Sequence, residues 1–259
     1  MIGTVLALGG GGFSMSDDGT SAIDDFLLEL TGKDRPSVCF VPTASGDADG
    51  YSQRFEAAFS GRAETSVLSL FCHQPWGYAE PKMLLEQDVI YVGGGSTANL
   101  LAVWRLHGLP EILTEAAANG VILAGISAGM NCWFDGSSTD SFGPLAPLTD
   151  GLGFVRASAC PHYLGEPGRR ETFQGWVADG SLGVGMPPTT TRPCCSVTVS
   201  SWRQLRSGQA GLCSASSPPV PGRRVRSRSR CASWAERVSS RGTRSARRAG
   251  TGTFRWPGG

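Results

Sequence analysis

The apolar run Val121-Ile122-Leu123-Ala124 leads straight into Gly125-Ile126-Ser127-Ala128-Gly129, and this junction restricts the fold more than any other feature of the chain. An apolar strand that ends at Gly-x-Ser-x-Gly and passes into helix-compatible residues (Met130, Asn131) suits a nucleophile elbow. In such an elbow a buried strand delivers a serine to a sharp turn, and small residues at Gly125, Ala128 and Gly129 leave room for it. Ser127 then stands exposed at the tip of a sheet. The same pentapeptide also suits an ordinary glycine-rich strand-to-helix turn, so the rest of the chain must supply the chemistry.

The surrounding periodicity alternates. Thr4–Leu8 reads as a buried parallel strand, Gly9-Gly10-Gly11-Gly12 turns the chain, and Ser21–Leu30 carries Ile23, Phe26, Leu27 and Leu30 on one helical face. The four glycines do not form a dinucleotide loop, because the last glycine of a G-x-G-x-x-G frame falls on Ser14 or Met15. A strand at Ser37–Val41, a helix at Tyr51–Ser60, strands at Ser66–Phe71 and Asp88–Val92, a helix bearing Leu100, Leu101 and Trp104, and a helix at Pro110–Asn119 follow. Strands alternating with helices predict an α/β fold: a mostly parallel sheet in a three-layer αβα arrangement, with ligands at the carboxyl ends of the strands. Both Ser127 and the loop Gly93-Gly94-Gly95 occupy such ends. The N–H of Gly94 and that of Ala128, just after the serine, are therefore candidate oxyanion donors, although Gly93–Gly95 also suits a plain turn.

With 259 residues and 40% hydrophobic content, one domain of ordinary size can bury a substantial core. No apolar run approaches the ~18 residues of a membrane helix, and the N-terminus lacks a cationic region with a cleavage pattern. Cys39, Cys72, Cys132 and Cys160 show neither C-x-x-C pairing nor metal-ligand spacing. Read as free thiols, they suit a reducing cytoplasm.

A serine hydroxyl is a weak nucleophile until a base takes its proton. The chain has three histidines. His107 falls at a helix end and His73 in a Pro-rich loop, whereas His162, in Ala159-Cys160-Pro161-His162-Tyr163, follows a strand-like stretch downstream of the elbow and is the favoured base. A carboxylate must orient the imidazolium, and Asp135, Asp140 and Asp150 lie between the two. Asp140 sits in the polar loop Ser137–Ser141, from which it can fold back beside His162; a solvated surface role remains open for all three.

Three blocks together carry a resemblance: Gly93-Gly94-Gly95-Ser96-Thr97 with Leu100-Leu101 and Trp104-Arg105, Gly125–Asn131, and Cys160-Pro161-His162-Tyr163 with Arg169-Arg170. In this order, over residues 1–182, the chain resembles peptidase family S51, which contains peptidase E, the aspartyl dipeptidase, and the related cyanophycinases. The resemblance implies a serine-type exopeptidase or dipeptidase on a fold similar to class I glutamine amidotransferase domains. Ser127 takes the nucleophile's place, His162 the base's and Asp140 that of the loop aspartate. It further implies small peptides with an N-terminal aspartate as substrate, with no metal or cofactor. Arg169 and Arg170 would face the substrate carboxylate. A homodimer is compatible with this reading; a membrane or nucleic-acid partner is not expected.

The resemblance stops near residue 183. Residues 1–182 carry 9 Lys and Arg against 21 Asp and Glu, a net −12, whereas residues 183–259 carry 14 Arg against one Glu, a net +13; together they give the overall +1. The segment 183–259, rich in Arg, Ser, Pro and Gly, is expected to be a disordered tail. Its Arg223–Arg230 stretch resembles basic arms that neutralise phosphates; the alternative functions are a catalytically inactive binding protein contacting nucleic acid or acidic partners through it, or another amidase of the same fold. A frame change near residues 183–186 accounts for the composition better. Met186–Arg203, back-translated and read one nucleotide earlier, can restore acidic residues and an Asp-Gly hairpin turn.

Overall fold

The computed structural model describes residues 3–72, 78–183 and 194–199. Its elements in chain order are β1 (Gly3–Leu8), α1 (Ala22–Thr31), β2 (Ser37–Val41), α2 (Asp49–Phe59), β3 (Glu64–Val67), β4 (Val89–Val92), α3 (Thr97–Leu106), α4 (Leu109–Ala118), β5 (Ile122–Ile126), α5 (Ala128–Asn131), β6 (Phe134–Thr139), β7 (Ala146–Leu148), β8 (Val155–Ala159), α6 (Arg169–Ala178) and β9 (Cys194–Val199). The main sheet runs β3-β2-β4-β5-β1-β9, parallel throughout except for β9, which lies antiparallel to β1. A smaller sheet, β7-β6-β8, follows the elbow.

Every residue of β4 and β5 is buried, as a parallel sheet covered on both faces requires. Period-two alternation divides the core. Tyr91 and Phe40 face an aromatic layer with Phe13, Phe55 and Phe59, whose ring centroids lie 4.7–6.4 Å apart. Ile90, Val92, Cys39 and Val41 face Leu100, Trp104 and Leu113 from α3 and α4. The expected three-layer α/β architecture is therefore present.

Two expectations shift. The third strand lies at Glu64–Val67 rather than Ser66–Phe71. The buried Asp47 carboxylate accepts from the N–H groups of Leu70 (2.6 Å) and Phe71 (2.9 Å) and from the Ser69 hydroxyl (2.9 Å), which takes these groups out of the ladder. Second, Cys194–Val199, inside the segment read as tail, pairs with β1 from Gly3↔Val199 to Leu8↔Cys194. Its Val197-Thr198-Val199 sequence has the β-branched character of a strand. All described residues belong to one compact unit, Met1–Ser217. Among them, no helix is long and apolar enough to cross a membrane.

Candidate active site

The elbow is sterically defined. β5 ends at Ile126, Ser127 adopts φ 54° and ψ −110°, and α5 starts at Ala128. A non-glycine residue at positive φ with ψ outside the left-handed well is strained, by about 1–3 kcal/mol. A methyl group on Gly125 would lie 2.1 Å from the Gly129 carbonyl oxygen, and one on Gly129 would lie 2.3 Å from that of Val92. Both glycines are thus required by close backbone approach, which the pentapeptide alone could not distinguish from an ordinary turn.

His162 reaches the serine from the small sheet. β8 ends at Ala159, and Cys160-Pro161 carry the chain across to place His162 Nε2 2.9 Å from Ser127 Oγ. Backbone bonds fix both partners: the Ser127 N–H donates to the Leu8 carbonyl (2.9 Å) and the His162 N–H to the Gly9 carbonyl (2.9 Å). Two consecutive carbonyls at the carboxyl end of β1 thus hold the backbones of both residues. Burial holds the His162 imidazole below the ordinary histidine range; the Glu166 and Asp140 carboxylates oppose that effect and the Arg169 guanidinium adds to it. A neutral imidazole bonded to a hydroxyl can accept the serine proton.

The charged groups form a cluster beside His162. Arg169, almost fully buried, donates from Nε to Glu166 (2.7 Å) and from Nη2 to Asp140 (3.1 Å). Asp140 therefore directs its carboxylate at Arg169 and acts on His162 through charge, less strongly than Glu166. Sequence reasoning did not single out Glu166. Its signal was the spacing His162-x-x-x-Glu166, which a single turn closes, the N–H groups of Gly165 and Glu166 both donating to the His162 carbonyl. Arg170 is exposed, its guanidinium 6.0 Å from the centre of the Tyr163 ring. Both arginines open α6; the Arg169 N–H donates to the Glu166 carbonyl (3.3 Å) and its side chain is taken up by two carboxylates, unlike that of the exposed Arg170.

Of the two candidate oxyanion donors, Ala128 begins α5, so its N–H has no intrahelical acceptor. Gly94 packs against the nucleophile, since a methyl there would lie 3.4 Å from Ser127 Cβ, but its N–H donates to the Tyr51 hydroxyl (3.2 Å). The remaining candidates lie apart from the pair. Asp135 pairs with Arg156 and Asp150 with Arg105. His107 closes α3 next to the Tyr78 ring, and His73 lies outside the described residues.

A parallel α/β sheet that presents a strained serine to a histidine defines a protein of hydrolase type. Peptidase family S51 matches residues 5–186, and the chain belongs to that family. It is 47% identical over 182 residues to the Bacillus subtilis (strain 168) protein named uncharacterized peptidase YgaJ, covering 70% of this chain and 77% of that one. It is 29% identical over 177 residues to peptidase E of Streptomyces coelicolor, covering 68% and 70% of the two chains. A solved structure from Listeria monocytogenes EGD-e shares the fold with a TM-score of 0.51 at 24% identity, over 69% of this chain and 88% of that one.

Proposed function

We propose that the chain is a serine-type dipeptidase or exopeptidase that cleaves small peptides with an N-terminal aspartate. The observation that carries the reading is the 2.9 Å contact between His162 Nε2 and the hydroxyl of Ser127, at a positive-φ turn that ends a buried strand. Ser127 Oγ attacks the scissile carbonyl as His162 Nε2 takes its proton, and the Ala128 N–H supports the oxyanion. His162 then protonates the leaving amine, and a water activated by the same imidazole hydrolyses the ester and releases aspartate. Glu166 and Asp140 favour the transient imidazolium, while Arg170 and the start of α6 attract the carboxylate of the substrate's first residue. The family membership and the peptidase E relatives support the substrate class.

The same reading attributes the composition of residues 183–259 to a changed frame, which agrees with a family match that ends at residue 186. Resequencing the locus tests that part, and an intact frame would overturn it. For the activity, leucine release from Asp-Leu and Ala-Leu is compared for the full chain, its frame-restored form and Ser127→Ala. Release that is confined to Asp-Leu and lost in the variant is expected. Equal rates on both peptides, or in the variant, would sink the proposal.

A further inference from the structure

The loop Gly93-Gly94-Gly95 leaves β4 and passes beside the nucleophile, and its two ends are held by backbone. The Gly93 N–H donates to the Val41 carbonyl (3.1 Å) and the Ser96 N–H to the Ala44 carbonyl (2.8 Å), both at the carboxyl end of β2. A methyl on Gly95 would lie 2.1 Å from the same Ala44 oxygen, so that end has no room to move. The middle is held by a side chain: the Gly94 N–H donates to the Tyr51 hydroxyl (3.2 Å). The peptide that carries this N–H joins two glycines, whose backbones leave it free to turn without that bond.

What the bond fixes lies against the reacting group. A methyl on Gly94 would lie 3.4 Å from Ser127 Cβ and 3.6 Å from the Ile126 carbonyl oxygen. At that spacing a turn of the Gly94 peptide either pushes on the serine side chain or opens a gap beside it.

Tyr51 is well placed to be the fixed partner. It stands in the first turn of α2, its N–H donating to the Ala48 carbonyl (3.0 Å). Its ring meets Phe40 edge-on at 5.0 Å between centroids and Phe13 at 5.7 Å. A methyl on Gly93 would lie 2.9 Å from Tyr51 Cε1 and 3.0 Å from Phe40 Cζ, so the same ring also closes on the start of the loop. Burial pushes the Tyr51 hydroxyl above the usual tyrosine range, against the Gly94 N–H, the Ser14 hydroxyl and the Arg54 guanidinium, with Asp24 adding to the rise. The phenol therefore stays neutral and accepts from Gly94 as a hydroxyl.

We propose that Tyr51 is a positioning residue for the nucleophile: by accepting the Gly94 N–H it fixes the peptide that packs on Ser127 Cβ, and so the side-chain position from which Ser127 Oγ meets His162. The inference rests on the serine-hydrolase reading for its catalytic consequence but not for its structural one. Tyr51 acts through Gly94 and touches no reacting atom.

The test compares Tyr51→Phe, which removes the hydroxyl and keeps the ring packing, with Tyr78→Phe, which removes an exposed hydroxyl elsewhere. In the full chain, Tyr51→Phe is expected to lower kcat on Asp-Leu by about tenfold, since small misplacements of reacting groups are costly. KM should stay within about twofold, because substrate binding draws on other groups. Melting temperature should fall by no more than about 5 °C, the loss of a single hydrogen bond. The second readout is the 1H–15N spectrum of the backbone, in which Tyr51→Phe should move the Gly94 and Ser127 amide signals and speed hydrogen exchange at Gly94, while Tyr78→Phe moves neither. Unmoved Gly94 or Ser127 signals overturn the proposal whatever the activity, as does a kcat within about twofold of an active parent. Moved signals in a chain that hydrolyses nothing would support the anchor and refute the peptidase reading.

Discussion

Ser127 and His162 both adopt a positive φ, 54°, as do only two other described non-glycine residues, Asp47 and Cys72, at 55°. Strain in adjacent partners is kept only where the surroundings over-determine it, so the pair is expected to act as one unit. Ser127→Ala and His162→Ala should each remove most of kcat/KM, and the double variant should be little worse than either. Independent, multiplicative losses would mean that no proton passes between them. Asp140→Asn should cost less, because its carboxylate acts on His162 through charge, and His107→Ala should leave turnover intact. The depressed His162 pKa also sets a pH dependence. The neutral imidazole is the active form, so the acidic limb of kcat/KM should fall below the ordinary histidine value of 6.5. Glu166→Gln removes a carboxylate that favours the imidazolium, so that limb should move to still lower pH. A shift toward higher pH would show that Glu166 does not act on His162 electrostatically.

At the scale of elements, much of the fold was legible because the strands are continuous β-rich runs and the helices carry spaced apolar faces. β1, β2, β4 and β5 fall within a residue or two of the positions that the pattern predicts. β3 was misplaced because its apolar continuation, Leu68-Ser69-Leu70-Phe71, looks like strand until the buried Asp47 is known to capture those backbone donors. At the site, Ser127 and His162 were readable from motif and order. Glu166 and the paired carbonyls of Leu8 and Gly9 were not, because their meaning depends on contacts between segments far apart in sequence or on a turn with no distinctive composition. The elbow itself offers a stability test. In Gly129→Ala the new methyl meets the backbone of Val92, which has no alternative rotamer, so the change should destabilise by about 3 kcal/mol. Chemical denaturation of the purified variant measures this, and a loss under about 1 kcal/mol would mean that β4 and α5 can separate at little cost.

For the whole molecule, the boundary that composition draws near residue 183 is not the boundary of the folded unit, because β9 pairs with β1 along all six residues of that strand. A chain ending at residue 182 leaves the backbone groups on that side of β1 unpaired and creates a long exposed edge. It should be less stable than a chain ending at residue 217 by about 3 kcal/mol, given roughly 0.5–1.5 kcal/mol for each lost hydrogen bond, and should aggregate on warming. Thermal unfolding with light scattering compares the two; equal melting temperatures would show that β9 contributes nothing to the sheet. The grip of Leu8 and Gly9 on Ser127 and His162 also bears on synthesis. The acceptors leave the ribosome first, the serine emerges more than a hundred residues later, and the histidine later still. A nascent chain therefore carries no aligned pair until nearly all of the family-matched span is made and has closed back on its first strand. Until His162 emerges, the nascent chain holds the serine without its histidine partner.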